Sequence, residues 1–200
     1  GKRVADLCAA PGGKTAQLVL QGADVTALDM SENRLKRLDG NLERLGLKAR
    51  TVASNMMDFK PDTLFDAVLL DAPCSSTGTV RRHPDVPWSK TPQDIKKLAN
   101  LQAKMLEKAI TLVKPGGTIL FSNCSLHPQE GEDMARNALK NPAIEAYPIT
   151  LEECPGLEGL ITKEGFLRST PGDLPAENFD GNPNMAGMDG FFAARFRRKA

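Results

Sequence analysis

The chain has 200 residues, of which 40% are apolar and 26% charged, and its formal net charge is +1. That length and balance fit a single domain over residues 1–200, able to bury roughly two-thirds of the surface its unfolded chain exposes, and they exclude a wholesale polycation. No apolar run approaches the roughly 20 residues that span a bilayer, and no charged leader precedes an apolar stretch with a cleavage site, so a cytoplasmic protein without membrane contact is expected.

The first element is a short apolar strand, Val4 to Cys8, which breaks at Ala9-Ala10-Pro11-Gly12-Gly13 and gives way to helix formers from Lys14 to Leu20. Val25 to Asp29 reads as a second strand. Ser31 is then a good N-cap, and Leu35, Leu38, Leu42 and Leu45 fall on one helical face before Gly46 stops the helix. A strand near Arg50 to Ala53 completes a βαβαβ unit. Phe65 to Asp71 is apolar on both faces, as a buried parallel strand requires. The irregular stretch from Ala72 to Lys90 holds three prolines and the chain's one Trp, Trp88. Thr91-Pro92-Gln93-Asp94 resembles an N-terminal capping signal with Pro at the first helical position, and Ile95, Leu98, Leu101, Met105, Ala109 and Leu112 continue it as one amphipathic helix. Lys114-Pro115-Gly116-Gly117 turns the chain into a strand from Thr118 to Asn123, and His127 to Leu139 reads as the next helix. Beyond it, Ile144 to Tyr147, Phe166 to Arg168 and Gly190 to Arg197 read as strands. The last two are expected to form an antiparallel hairpin at the sheet's edge, separated by a Pro/Asn/Gly-rich loop from Thr170 to Met188.

Alternating strands and helices with right-handed crossovers give an α/β fold with a doubly wound, mostly parallel sheet. Ligands in such sheets bind outside the carboxyl ends of the strands. Cys8, Asp29, Asp71, Cys74 and Cys124 all fall there. In Asp6-Leu7-Cys8-Ala9-Ala10-Pro11-Gly12-Gly13-Lys14 the glycines let the backbone approach a ligand at a helix N-terminus, where free N–H groups favour a carboxylate or phosphate. The spacing is not GxGxxG, so a dinucleotide is less well supported. Asp29 ends the second strand, where an acid in this kind of fold accepts ribose hydroxyls. The bland alternative is a glycine turn needed only for tight strand-to-helix packing.

The four cysteines, Cys8, Cys74, Cys124 and Cys154, form no CxxC pair and no His/Cys cluster. Free thiols, a reducing compartment and no metal are therefore expected. Two of the four share a setting. LLDAPCSSTG and LFSNCS are each an apolar run that meets a small-residue loop at a cysteine.

DLCAAPGGKT, LDAPCSSTG, the RRHPD that follows it, SNCS and the terminal DGFFAA together resemble the RNA cytosine-C5 methyltransferases. The likeness extends over essentially the whole chain and is greatest to the catalytic domain of the bacterial 16S ribosomal RNA enzymes of the Sun/Fmu (RsmB) type. It implies a Rossmann-like class I methyltransferase that uses S-adenosylmethionine and acts on RNA, 16S ribosomal RNA first and transfer RNA or another RNA as the alternative. Cys8, Ala9, Ala10, Pro11, Gly12, Gly13 and Lys14 match the cofactor loop, with Lys14 meeting the methionine carboxylate and Asp29 the ribose. The family has an Asp after the third strand near the adenine amino group. This chain carries Asn55 there with Asp58 close by, and an Asn carbonyl can accept the same bond.

The resemblance also gives the paired cysteines distinct roles. Cytosine C5 becomes nucleophilic only after attack at C6, and a thiolate can add there and later leave. By resemblance Cys124 is the attacker, Asp71 holds the base around N3 and supplies a proton, and Cys74 assists release. An ordinary Cys, with a pKa of about 8.5, is only slightly ionised at neutral pH, so an electropositive site is expected. Cys8 and Cys154 read as buried small hydrophobes.

Arg81, Arg82 and His83, with Pro84 and Trp88 beyond, are expected to border the cleft and meet substrate RNA around an extruded cytosine. The bland readings are a packing anchor for Trp88 and a loop-fixing bond for His83. His127 is expected to be a capping or surface residue, and Arg195, Arg197, Arg198 and Lys199 alternate along a strand so that only part of them share one face. A DNA cytosine methyltransferase would use a Pro-Cys turn as its nucleophile, whereas two cysteine motifs favour the RNA class. A non-catalytic RNA-binding or ribosome-assembly domain is the rival of a different kind. Gly1-Lys2-Arg3 enters a strand without a Met, so the chain reads as the C-terminal, monomeric part of something longer.

Overall fold

A computed structural model describes residues 1–174, 177, 180–182 and 186–200. Five strands, β1 (Arg3–Leu7), β2 (Asp24–Asp29), β3 (Arg50–Ala53), β4 (Phe65–Asp71) and β5 (Val113–Asn123), run parallel in the order β3-β2-β1-β4-β5. The chain reverses this order at β1 and β4, and the crevice of such a sheet opens at that switch point. Helices α1 (Gly13–Leu20), α2 (Glu32–Arg44), α3 (Pro92–Leu112) and α4 (Glu132–Ala138) cover it.

Both faces are buried, as the neighbouring residues Ala27 and Leu28 of β2 demonstrate. Successive strand residues point to opposite faces. Ala27 packs with Leu35, Leu38 and Leu42 of α2 and Ala16 of α1, whereas Leu28 packs into the larger core with Met105, Leu106 and Ala109 of α3 and Met134 of α4. The doubly wound reading follows directly. Ser31 caps α2 by accepting from the Arg34 N–H, and Thr91 with Asp94 forms a complete capping box on α3, with Pro92 in the first turn.

Regular pairing of β5 begins where the Pro-Gly-Gly turn ends, at Thr118 opposite Ala67, and runs to Ser122 opposite Asp71. β6 (Ile144–Ala146), β7 (Leu167–Ser169) and β8 (Phe191–Arg198) complete the sheet, and all their pairings are antiparallel. The expected hairpin of β7 and β8 is present, but β8 is not the edge. It lies between β5 on one side and β6 and β7 on the other. Phe192, Ala194 and Phe196 enter the core and Ala193 is buried on the opposite face, so β8 is covered on both faces like an interior strand. The Thr170 to Met188 loop lies partly outside the described residues.

Two other local expectations change. The stretch from His127 to Leu139 is not one helix: a 3-10 turn at Pro128–Glu130 precedes α4, and they meet at Gly131, where an added Cβ would collide with Arg168 and Phe192. Leu45 lies beyond the end of α2 and is 48% exposed, so the buried stripe stops at Leu42. Among the described residues, no helix is long and apolar enough to cross a membrane.

Candidate functional site

At the carboxyl edge of β1, β2, β4 and β5 a cleft of about 450 Å³ opens, and Cys8, Asp29, Asn55, Asp71, Cys74 and Cys124 line it. A second hollow of about 390 Å³ shares Cys8, Ala10 and Asp71 with it and adds Ala9, Pro11, Gly13 and Lys14. The fold thus gathers these residues from five separated stretches of sequence into one concave surface. Asp58 lines neither hollow, and its N–H closes a turn on the Asn55 carbonyl at 3.0 Å. The Asn55 side-chain oxygen accepts from the Met57 N–H at 3.0 Å.

The loop from Cys8 to Gly13 takes its shape from backbone conformations that ordinary strands and helices avoid. Cys8 has φ 72° and Gly12 has φ 101°, and the Ala10–Pro11 peptide is cis. Gly12 tolerates its left-handed conformation because it lacks a side chain, and a Cβ there would also stand 2.9 Å from Leu38 Cγ. The first intrahelical bond of α1 runs from Ala16 N–H to Gly12 O at 2.9 Å. The N–H groups of Gly13, Lys14 and Thr15 therefore precede the helical ladder, and Gly13 and Lys14 line the second hollow.

Asp29 is 3% exposed and holds this loop. Its Oδ2 accepts from Ala10 N–H at 3.3 Å and lies 3.4 Å from Arg34 Nη1, and its Oδ1 accepts from Ser31 N–H at 3.0 Å. Arg34 also donates to the Ala10 carbonyl at 2.7 Å, a tie between α2 and the loop that sequence reading missed. Asp6 is buried beneath the loop. Thr15 Oγ1 donates to its Oδ2 at 2.6 Å, while its Oδ1 has no hydrogen-bond partner among the described residues. Burial outweighs the Thr15 bond and pushes its pKa up to about 6. Burial, helped by Asp29 and Asp6, also pushes the Cys8 thiol up to about 12, which keeps it protonated and unreactive.

Asp71 accepts from Lys14 Nζ at 2.7 Å through one oxygen and from Ser122 Oγ at 2.8 Å through the other. Lys14, expected to face a cofactor carboxylate, is thus paired with Asp71 here.

Cys74 and Cys124 approach to a sulfur–sulfur distance of 3.5 Å. The Cys74 S–H shared with the Cys124 sulfur draws the Cys124 pKa below the ordinary thiol range, with the Ser76 hydroxyl helping. The same contact, together with burial, drives Cys74 upward. The shared proton favours Cys74, so Cys124 is the more readily ionised of the pair. Ser76, at φ 58°, is another left-handed residue beside the pair.

Arg81, Arg82 and His83 lie outside both hollows. Arg82 Nε donates to Asp189 Oδ2 at 2.8 Å, and Arg81 Nε stands 4.0 Å from Asp189 Oδ1. Asp189 comes from the DGFFAA segment, so this contact joins two motifs far apart in sequence. Trp88 is 91% exposed and is not a packing anchor. His127 begins the 3-10 turn without a side-chain cap, and its buried Nδ1 has no partner among the described residues. Cys154 is half-buried. Sequence reading also missed Glu130, which is fully buried behind the two cysteines.

The family model for the 16S rRNA methyltransferase RsmB/F family matches residues 1–197. Ribosomal RNA small subunit methyltransferase B of Salmonella paratyphi B is 37% identical over 204 aligned residues, covering 100% of this chain and 43% of the relative. The chain thus spans less than half the length of such curated relatives. Among solved structures, a methyltransferase homolog protein from Pyrococcus horikoshii aligns with TM-score 0.75 and 33% identity, over 99% of this chain and 62% of that one. NSun6 from Pyrococcus horikoshii, solved with SFG, aligns with TM-score 0.76 and 26% identity over 100% of this chain and 48% of that one.

Proposed function

Because the chain belongs to the 16S rRNA methyltransferase RsmB/F family, we propose that it transfers a methyl group from S-adenosylmethionine to C5 of a cytosine in RNA, 16S ribosomal RNA in particular, through a covalent bond from Cys124 to C6. The observation that carries this reading is the 3.5 Å contact between Cys74 and Cys124 at the mouth of a cleft shared with the Cys8 to Lys14 loop. A small-molecule or protein methyltransferase has no need of two thiols in contact there.

The residues present fit the cofactor. The N–H groups at the start of α1 and the Lys14 ammonium would suit its carboxylate, Asp29 would suit the ribose, and Asn55, which lines the cleft, would accept from the adenine amino group. Its sulfonium supplies an electrophilic methyl group. Cys124, as the thiolate, attacks C6 of the extruded base, a sulfur–carbon bond forms, and the electron pair of the C5–C6 double bond becomes available at C5. Asp71 holds the base around N3 and its amino group, and because Lys14 and Ser122 donate to it in the resting protein, it gives a proton to N3 only once Lys14 has turned away and the carboxylate has itself been protonated. After methylation the C5 proton passes to a water acting as base, the C–H pair re-forms the C5–C6 double bond, and the carbon–sulfur bond breaks with its electron pair returning to Cys124. Cys74 assists this release.

The test is a pair of variants incubated with radiolabelled S-adenosylmethionine and either 16S ribosomal RNA or transfer RNA. Cys124→Ser is expected to abolish transfer, and Cys74→Ser to accumulate protein that stays attached to RNA through denaturing electrophoresis. An adduct from the Cys124 variant and none from the Cys74 variant would reverse the roles. Full transfer by both would reduce the pair to packing.

A further inference from the structure

Glu130 makes four hydrogen bonds through its carboxylate, all to residues that flank the two cysteines or support their loops. Oε1 accepts from Ser75 N–H at 3.0 Å and from Gln102 Nε2 at 2.8 Å. Oε2 accepts from Ser75 Oγ at 2.5 Å and from Ser125 Oγ at 2.6 Å. Its main-chain carbonyl accepts from Asn123 Nδ2 at 2.6 Å, and Asn123 Oδ1 in turn accepts from Ser125 N–H at 3.0 Å. Gln102, fully buried on α3, also donates to the Pro73 carbonyl at 2.9 Å. Ser75 on one side and Ser125 on the other are therefore tied to one buried carboxylate, with Pro73 linked to it through Gln102 and Asn123 held by the main chain of the same residue.

A carboxylate with no exposure is costly to bury unless its lone pairs are filled. Four donors fill them here, and each donor belongs to an element that carries or backs a thiol. Both loops also rest on strand ends whose Cα registers are fixed by β4–β5 pairing up to Asp71 and Ser122. Beyond those residues the ladder gives way to loop, with a last inter-strand bond from Ala72 N–H to Ser122 O at 2.8 Å. Something other than the sheet must set the spacing of the sulfurs.

We propose that Glu130 is a positioning residue that sets the separation of Cys74 and Cys124 by bridging Ser75 and Ser125, and thereby governs the methyl-transfer step. The proposal rests on the two-thiol reading above. It requires the shape and hydrogen-bonding capacity of residue 130, not its negative charge. In Glu130→Gln the amide oxygen can keep the Ser75 N–H and Gln102 bonds, and the amide nitrogen can donate to the two serine hydroxyls, which rotate to accept. Glu130→Ala loses every side-chain bond at once.

Phenylarsine oxide reads the thiol spacing without reference to RNA, because its trivalent arsenic binds tightly only when two sulfurs are held together, forming two As–S bonds and releasing one water. The wild type is expected to bind it, and Cys74→Ser is not. Glu130→Ala is expected to bind at least tenfold more weakly, with methyl transfer falling mainly in kcat while S-adenosylhomocysteine affinity is retained. Glu130→Gln is expected to recover most of both. If Glu130→Ala fails to fold, the double variant Ser75→Ala/Ser125→Ala replaces it, with the same loss expected. Wild-type arsenical affinity in the Ala or double-serine variants overturns the proposal, as does a Gln variant that behaves like Ala. If the arsenical series follows expectation while the wild type methylates no RNA, the bridge stands and the proposed reaction fails.

Discussion

The Lys14 ammonium lies 2.7 Å from the Asp71 carboxylate and so links the loop after β1 to the end of β4. Both side chains are partly exposed, and both belong to the residues proposed to handle ligand. Under the proposed function Lys14 would be shared between Asp71 and the cofactor carboxylate. Lys14→Met is expected to weaken S-adenosylhomocysteine binding about tenfold, in keeping with a charge-assisted bond worth about 1.5–3 kcal/mol offset by the lost pairing with Asp71. Isothermal titration measures it directly, and unchanged affinity would remove Lys14 from the cofactor site.

The ionisation of Cys124 depends on its neighbour. With the Cys74 S–H in place, the Cys124 thiolate persists to lower pH than an ordinary thiol. Cys74→Ala removes the donor, so the Cys124 pKa should rise and the thiolate fraction at neutral pH should fall. Iodoacetamide alkylation at Cys124, followed by mass spectrometry across pH, is expected to show its midpoint moving upward by at least one unit. A midpoint that stays put means the Ser76 hydroxyl, not Cys74, is responsible.

Asp6 makes the chain less stable as pH rises. Its pKa is raised in the folded state from 3.8 to about 6, so the folded chain holds the proton more tightly than the unfolded one. The stability this supplies is complete below the unfolded value and is lost as pH climbs through the folded value. Between pH 5 and 8 the loss attributable to Asp6 is about 1 kcal/mol. Urea unfolding should show this slope in the wild type and a flatter one in Asp6→Asn. Equal slopes would indicate that Asp6 titrates alike in both states.

Arg82 is paired with Asp189, so an RNA phosphate that met Arg82 would have to compete with that carboxylate. Arg82→Ala is expected to weaken RNA binding uniformly across sequences and to lower the salt slope by about one charge. Asp189→Asn, which releases Arg82, should instead strengthen binding at low salt. Filter binding over a salt series separates the two directions, and identical slopes in all three proteins would exclude the arginine from the interface.

Gly78 sits where three segments converge. Its N–H donates to the Cys124 carbonyl at 2.8 Å, and its carbonyl accepts from Gly190 N–H at 2.8 Å. A Cβ at this position would collide with the Gly190 carbonyl and crowd the Cys124 carbonyl. Gly78→Ala is therefore expected to cost about 1–3 kcal/mol, as overpacking does. Gly172→Ala, where the nearest atom would be 3.9 Å away, is the control for thermal melting.

Features encoded locally were legible before any coordinates. The limits of β3 and β4, the cap at Ser31 and the capping box at Thr91 all follow from residues within a few positions of one another. The clustering of Cys8, Asp29, Asp71, Cys74 and Cys124 was legible too, because a doubly wound topology sends every strand's carboxyl end to the same edge. Contacts between distant side chains were not. Glu130 reaches Ser75 across 55 positions, and Asp189 reaches Arg82 across 107, and neither leaves any periodic trace. The interior position of β8 was hidden for a related reason: Phe191 to Arg198 has the composition of a strand, but which neighbour it pairs with depends on the open side of β5.

That position has a consequence for biogenesis. Strand β5, which leads into Cys124, keeps one row of peptide groups unpaired until β8, far downstream in the sequence, arrives. A nascent chain therefore carries an adhesive border next to Cys124 from the completion of β5 until β8 emerges, an interval when chaperone protection matters most. A chain truncated ahead of Phe191 would keep that border permanently bare.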